Sequence, residues 1–181
     1  MDRAVLISIR PKWCEKIAIG EKTVEVRKNR PKLETPFKCY IYETQGKSDT
    51  PWIDEDGHMI FRGRGKAVAE FTCDRINRII HVGYSGSGEK LMLRACKADN
   101  WIELEPNFDF STTCMSTEQI EQYLDGRDGY AWHISDVKKF YPLSVELHDF
   151  TGVRASGVWL ERYKIERPPQ SWCYVEELEY E

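Results

Sequence analysis

Lys22, Glu25 and Arg27 fall within six residues, in the stretch GEKTVEVR from Gly20 to Arg27. An ammonium beside a carboxylate can polarise a carbonyl or phosphoryl oxygen while the carboxylate moves a proton. The same trio can instead recognise a nucleobase. Glutamate accepts from an exocyclic amine such as that of cytosine, and arginine grips acceptors or phosphate. Thr23, Val24, Glu25, Val26 and Arg27 alternate polar and apolar, the period of a half-buried strand. Val24 and Val26 then point to a core, and Thr23, Glu25 and Arg27 share the other face. That face is either solvated sheet surface or the polar floor of a cavity. Taken alone, the residues favour the solvated reading, because charged side chains are mostly exposed.

The elements around the trio follow from pattern and punctuation. RAVLISIR (Arg3 to Arg10) reads as a strand, and Pro11 takes the first position of a helix, where its missing N–H costs nothing. Trp13 and Ile17, with Cys14 and Ala18, give that helix one apolar face, and Gly20 closes it. Phe37 to Thr44 and Ala67 to Cys73 read as further strands, the latter fed by the tract FRGRGKAV. Asp54 to Gly57 reads as a turn without the ligand spacing of a calcium loop. GYSGSGEK from Gly83 lacks a P-loop ending and reads as a surface loop. Ser116 starts a helix with a capping box to Gln119, burying Ile120, Tyr123 and Leu124. YAWHISDV from Tyr130 offers two alternating sets, Tyr130, Trp132 and Ile134 or Ala131, His133 and Ser135. SVELHDF reads as another strand. The tail RPPQSWCYVEE reads as extended, with Trp172 either a lid over a pocket or a plug.

The pattern G-x-K-x-x-E-x-R, after a short helix and entering a strand, resembles the signature of the ASCH domain, within the PUA-like group of small β-barrels. RAVLISIRPKWCEKIAIG and YAWHISDVKKFYPLSVELHDF resemble the flanking elements, so the resemblance spans most of residues 3–150 and is weakest from about His81 to Thr113. It implies an α+β fold: a PUA-like β-barrel of about six strands with flanking short helices. The expected organisation is a single domain over 1–181, with an irregular insert around 81–113 and an extended tail around 165–181. The resemblance also implies RNA or nucleotide binding in a basic cavity, around Lys22, Thr23, Glu25 and Arg27. Aromatic residues that could hold a base between π faces, Trp13, Tyr130, Trp132 and Trp172, complete the candidate binding set with Lys12 and His133. Some relatives are amidohydrolases that deacylate N4-acetylcytidine, with a lysine and a threonine nucleophile in this motif; others are ribonucleases. Here Glu25 stands where that threonine would be, so the deacylase mechanism does not carry over as such. The alternatives are a hydrolase using Lys22 and Glu25, and a protein-interaction module.

Composition fits these readings. The chain has 181 residues, 41% hydrophobic and 31% charged, enough for a buried core. A net charge of −4 argues against non-specific coating of nucleic acid, yet Arg10 to Lys32 holds eight basic against three acidic residues. That suits a small anionic partner or one local contact with a strand. No run approaches the roughly 20 apolar residues that span a bilayer. Asp2 and Arg3 stand where an export signal would need apolar residues, so a cytoplasmic location is expected. Six scattered cysteines without a C-x-x-C pair predict reduced thiols and no metal. No cofactor is expected. DNA as a partner and the oligomeric state are left open.

Overall fold

The computed structural model describes residues 2–46, 52–53, 59–60, 63–82, 92–98, 100–140, 144–156 and 159–179. The turn at Asp54, the loop at Gly83 and Phe61 and Arg62 of the glycine-spaced basic tract lie outside these residues. In chain order the elements are β1 (Arg3–Ile9), α1 (Pro11–Ala18), β2 (Val24–Arg27), β3 (Phe37–Glu43), β4 (Trp52–Ile53) and β5 (Met59–Ile60). Then come β6 (Ala67–Val82), β7 (Met92–Lys97), β8 (Asn100–Leu104), α2 (Thr117–Leu124), β9 (Gly129–Lys139), β10 (Thr151–Ser156), β11 (Trp159–Lys164) and β12 (Trp172–Glu176). Single 3-10 turns occupy Phe110–Thr113 and Leu147–Asp149.

The fold is mostly sheet with two short helices, as expected, but the sheet is not a closed barrel of six strands. Ten strands hydrogen-bond as one open, mixed sheet, and β4 and β5 pair separately. Alternation in a sequence reveals strands, whereas closure depends on tilt and stagger that no local pattern encodes.

Contacts group the chain into two compact units. The first comprises Met1–Ile19, Phe37–Thr72 and Asp136–Glu181. Its centre is β1, parallel to β3 on one side and antiparallel to β12 on the other. Buried on all but its first residue, β1 reads as a near-continuous apolar run for that reason. Ala4, Leu6, Tyr40, Tyr42, Phe150, Ile165 and Val175 form the core there. The hydroxyl of Tyr40 accepts from Leu178 N at 2.8 Å, which gives a buried phenol its partner. The extended tail is therefore a sheet strand and not a lid: Trp172 lies opposite Ile7 in the β1–β12 ladder. The expected strand SVELHDF reduces to one bridge, Val145 to Ala67, and a 3-10 turn. Asp149 turns it aside by accepting from the backbone of Glu146 at 3.0 Å.

The second unit comprises Gly20–Pro36 and Cys73–Ser135. Here β2 pairs antiparallel with β9, and β6, β7 and β8 follow as an antiparallel meander. Val24, Val26 and Ala131 pack with Ile79, Leu93 and the buried side of α2, Ile120 and Leu124. The capping box at the start of α2 is complete, with Ser116 and Gln119 exchanging bonds. Gly129 lets β9 begin close beneath that helix, since a Cβ there would stand 2.4 Å from a Leu124 methyl. The segment expected to be irregular, 81–113, instead carries the β7–β8 hairpin and a 3-10 turn among its described residues.

Candidate nucleotide-binding site

Gly20, at φ +82°, ends the first helical stretch and releases the chain into the motif. All four residues of β2 are buried, so the strand is covered on both faces. The solvated reading of Glu25 and Arg27 is thereby replaced by the enclosed one. Glu25 sits between two cations: Lys22 Nζ is 3.1 Å from Oε2, and Arg27 Nη2 is 2.9 Å from Oε1. Lys22 is 1% exposed, and Glu25 and Arg27 are each 7% exposed.

Lys22 also donates to the carbonyls of Val24 at 2.8 Å and Thr113 at 2.6 Å. An ammonium has three N–H groups, and here three protein oxygens take them. A substrate oxygen reaching Lys22 must displace one. The Thr113 carbonyl comes from a stretch where no family pattern was legible. The 3-10 turn Phe110–Thr113 is capped by Asp109, which accepts from Ser111 N at 2.9 Å, and it ends on Cys114 at φ +56°. The Cys114 N–H returns to Ser111 O at 2.9 Å and closes the turn, leaving the Thr113 carbonyl to accept from Lys22. Thr23 N donates to Thr112 O at 3.1 Å and ties the same turn to the start of β2.

The β2–β9 register resolves the two alternating sets. Glu25 is opposite Trp132 and Arg27 opposite Tyr130, so Tyr130 and Trp132 share the face of the charged pair. Trp132 is fully buried, with no ring face open to a ligand. Tyr130 is half-buried and lines a cleft of about 1070 Å³. Five cations line this cleft, Lys28, Arg30, Lys32, Arg75 and Lys97, against two carboxylates, Glu34 and Glu105. Arg30 Cζ lies 5.9 Å from the centroid of the Tyr130 ring, a cation over an aromatic face.

His133, opposite Val24, sits on the other face of β9. Asn77 Nδ2 donates to Cys96 O at 3.2 Å, so its Oδ1 faces the imidazole and takes the Nε2–H at 2.7 Å. Nδ1 then accepts from Arg75 Nη2 at 3.4 Å. The second bond requires the neutral ring, because a protonated Nδ1 has no lone pair to accept with. Burial first and the Arg75 charge second lower its pKa from the ordinary 6.5, while Asp74 and Glu105 oppose. The unfolded chain therefore takes up this proton first as pH falls. Stability contributed at His133 is complete above about pH 6.5, declines below it, and levels off once the folded imidazole also protonates. An NMR titration of the ring should give a midpoint below 6.5, and a midpoint above it would contradict the bonding pattern.

Thr23 is exposed and lines a smaller recess with His133. Lys12, Trp13 and Trp172 belong to the other unit. Lys12 Nζ lies over its neighbour Trp13 at 4.2 Å, and Trp172 packs edge-on to Tyr174 at 5.3 Å. Arg75, Asn77, Lys97 and Glu105 were not legible as site residues, because they come from three separate strands and turns. Lys28, Arg30 and Lys32 were signalled by the basic excess of Arg10 to Lys32. Burial pushes the Cys73 thiol up to about 12 and the Cys173 thiol to about 11, so neither is a ready nucleophile near neutral pH. No group of three or more metal-ligating side chains occurs among the described residues.

No family model matches the chain, and no curated protein matches it. Solved structures do. The crystal structure of ASCH from Zymomonas mobilis aligns over 96% of this chain and 88% of its own, at 16% identity and a TM-score of 0.50. The fold is ASCH-like. A point variant of the same Zymomonas protein aligns over 96% and 91%, at 15% identity and a TM-score of 0.49. Among the described residues no helix is long and apolar enough to cross a membrane.

Proposed function

We propose that this protein binds short single-stranded RNA or a nucleotide, with the cleft beside Tyr130 taking the phosphates. The observation that carries this reading is the cleft's charge. Five cations against two carboxylates line one concavity of a chain whose net charge is −4. A local basic site with an aromatic wall is what a strand needs for phosphate contacts and base stacking. The buried Lys22–Glu25–Arg27 group serves as the frame that fixes β2, and so sets where Lys28 and Arg30 emerge. Binding is favoured over turnover because Lys22 gives its donors to protein oxygens and Glu25 has an oxygen on each cation.

The test is fluorescence anisotropy of a labelled RNA hexamer across a salt series. Two to four phosphate contacts predict a log–log slope of about −1.4 to −2.8 for a single strand. Lys32→Glu with Lys97→Glu should flatten that slope and weaken binding at low salt. A slope several times steeper, or no binding to any oligonucleotide, would overturn the proposal.

A further inference from the structure

Beside the cleft lies a recess of about 370 Å³, lined among others by Thr23, Asn107, Phe108 and His133. Arg75 and Glu105 line both hollows, so the two share a wall. The recess is at the small end of ligand sites, about the room for one base and its sugar. Its walls differ from those of the cleft. Phe108 is half-buried, and its ring stands edge-to-face with His133 at 5.8 Å. The imidazole nitrogens are both engaged, by Asn77 and Arg75, so His133 offers a ligand its ring face or its carbon edge. Hydrogen-bond choice then falls to Glu105, Asn107 and Thr23, since Asp109 Oδ1 already accepts from Ser111 N and the Thr112 hydroxyl already donates to the Asp109 carbonyl. A carboxylate only accepts, whereas the amide and the hydroxyl do either.

We propose that the recess receives one base of the strand held in the cleft and selects bases bearing an exocyclic amine over uracil. This rests on the RNA-binding reading above. Cytosine, adenine and guanine each present an amine that Glu105 can accept from. Uracil has a single ring donor flanked by two carbonyls, and those would face the carboxylate. Arg75, an exposed cation on the shared wall, is placed to hold the phosphate joining the recessed base to its neighbour.

The experiment measures affinities of labelled CCC, AAA and UUU ribotrinucleotides at one salt concentration, for wild type and Glu105→Gln. Wild type should bind CCC and AAA about tenfold more tightly than UUU, within the range of one good polar base contact. Glu105→Gln, a change at a half-exposed position, should shrink that ratio to about threefold or less. In parallel, ring signals of His133 should shift on saturation with CCC but not with inorganic tripolyphosphate, which can occupy the cleft alone. Equal binding of all three trinucleotides with the salt slope intact overturns the recess and leaves the cleft standing. A preference that survives Glu105→Gln, or His133 signals unmoved by CCC, does the same. If no trinucleotide binds at any salt, the RNA-binding reading falls and the recess with it.

Discussion

Lys22→Met should lower stability by about 3–5 kcal/mol, the usual consequence of removing one partner from a buried ion pair. In a chain of this size that corresponds to roughly 6–20 °C in Tm. The loss has two sources. Glu25 keeps Arg27 but loses its second cation, and the carbonyls of Val24 and Thr113 lose a buried donor. Methionine fills a similar volume, so cavity formation contributes little. Lys22→Met combined with Glu25→Gln should recover part of the loss, because the uncompensated carboxylate is gone. Thermal and urea unfolding of both variants decide the matter. A change below about 1 kcal/mol for the single variant would show that water readily replaces the ammonium, and the enclosed frame would then be the wrong description.

A comparable effect is expected at Trp132, for a different reason. Its side chain is fully buried opposite Glu25, and Trp132→Ala should cost about 3–5 kcal/mol through lost burial and a residual cavity. RNA affinity per folded molecule should be unchanged in the hexamer assay. Should the variant stay as stable as wild type while affinity drops by the roughly 1–3 kcal/mol of a base stack, Trp132 would be a stacking residue after all. Tyr130, two residues earlier and on the cleft wall, is the aromatic positioned for that role.

The contrast between these two residues shows how far the sequence could be read. The period of two placed Val24 and Val26 on one face and Glu25 and Arg27 on the other, and the structure agrees. What alternation could not say is whether the polar face is covered. That depends on Thr113 and the 3-10 turn before it, and their role is to present a backbone carbonyl, which any residue supplies equally. Tyr130 and Trp132 share a face and differ in burial because of what lies around each along β9, again a matter of neighbours distant in sequence. The cleft had the same limit. Its Lys28 to Lys32 side is one contiguous basic run and was visible as a charge excess. Arg75 and Lys97 join it only because β6 and β7 pair as Asn77 opposite Lys97. The β12 strand was not placed in the sheet because prolines at 168 and 169 mark an extended segment without saying what it pairs with, whereas Val175 is fully buried in the core.

The position of β12 has a consequence for synthesis on the ribosome. Within its unit, β1 is paired on one side by β3, which follows soon in the chain, and on the other by β12, which arrives more than 160 residues after β1 ends. At translation rates of about 5–20 residues per second, the apolar strand β1 waits roughly 8–30 s with one hydrogen-bonding edge unfilled. Over that interval an unfilled edge on an apolar strand is a template for the wrong partner. This unit is therefore the part of the nascent chain most dependent on a chaperone's shelter, and a ribosome stalled before Trp172 would release a chain prone to pair with its own copies.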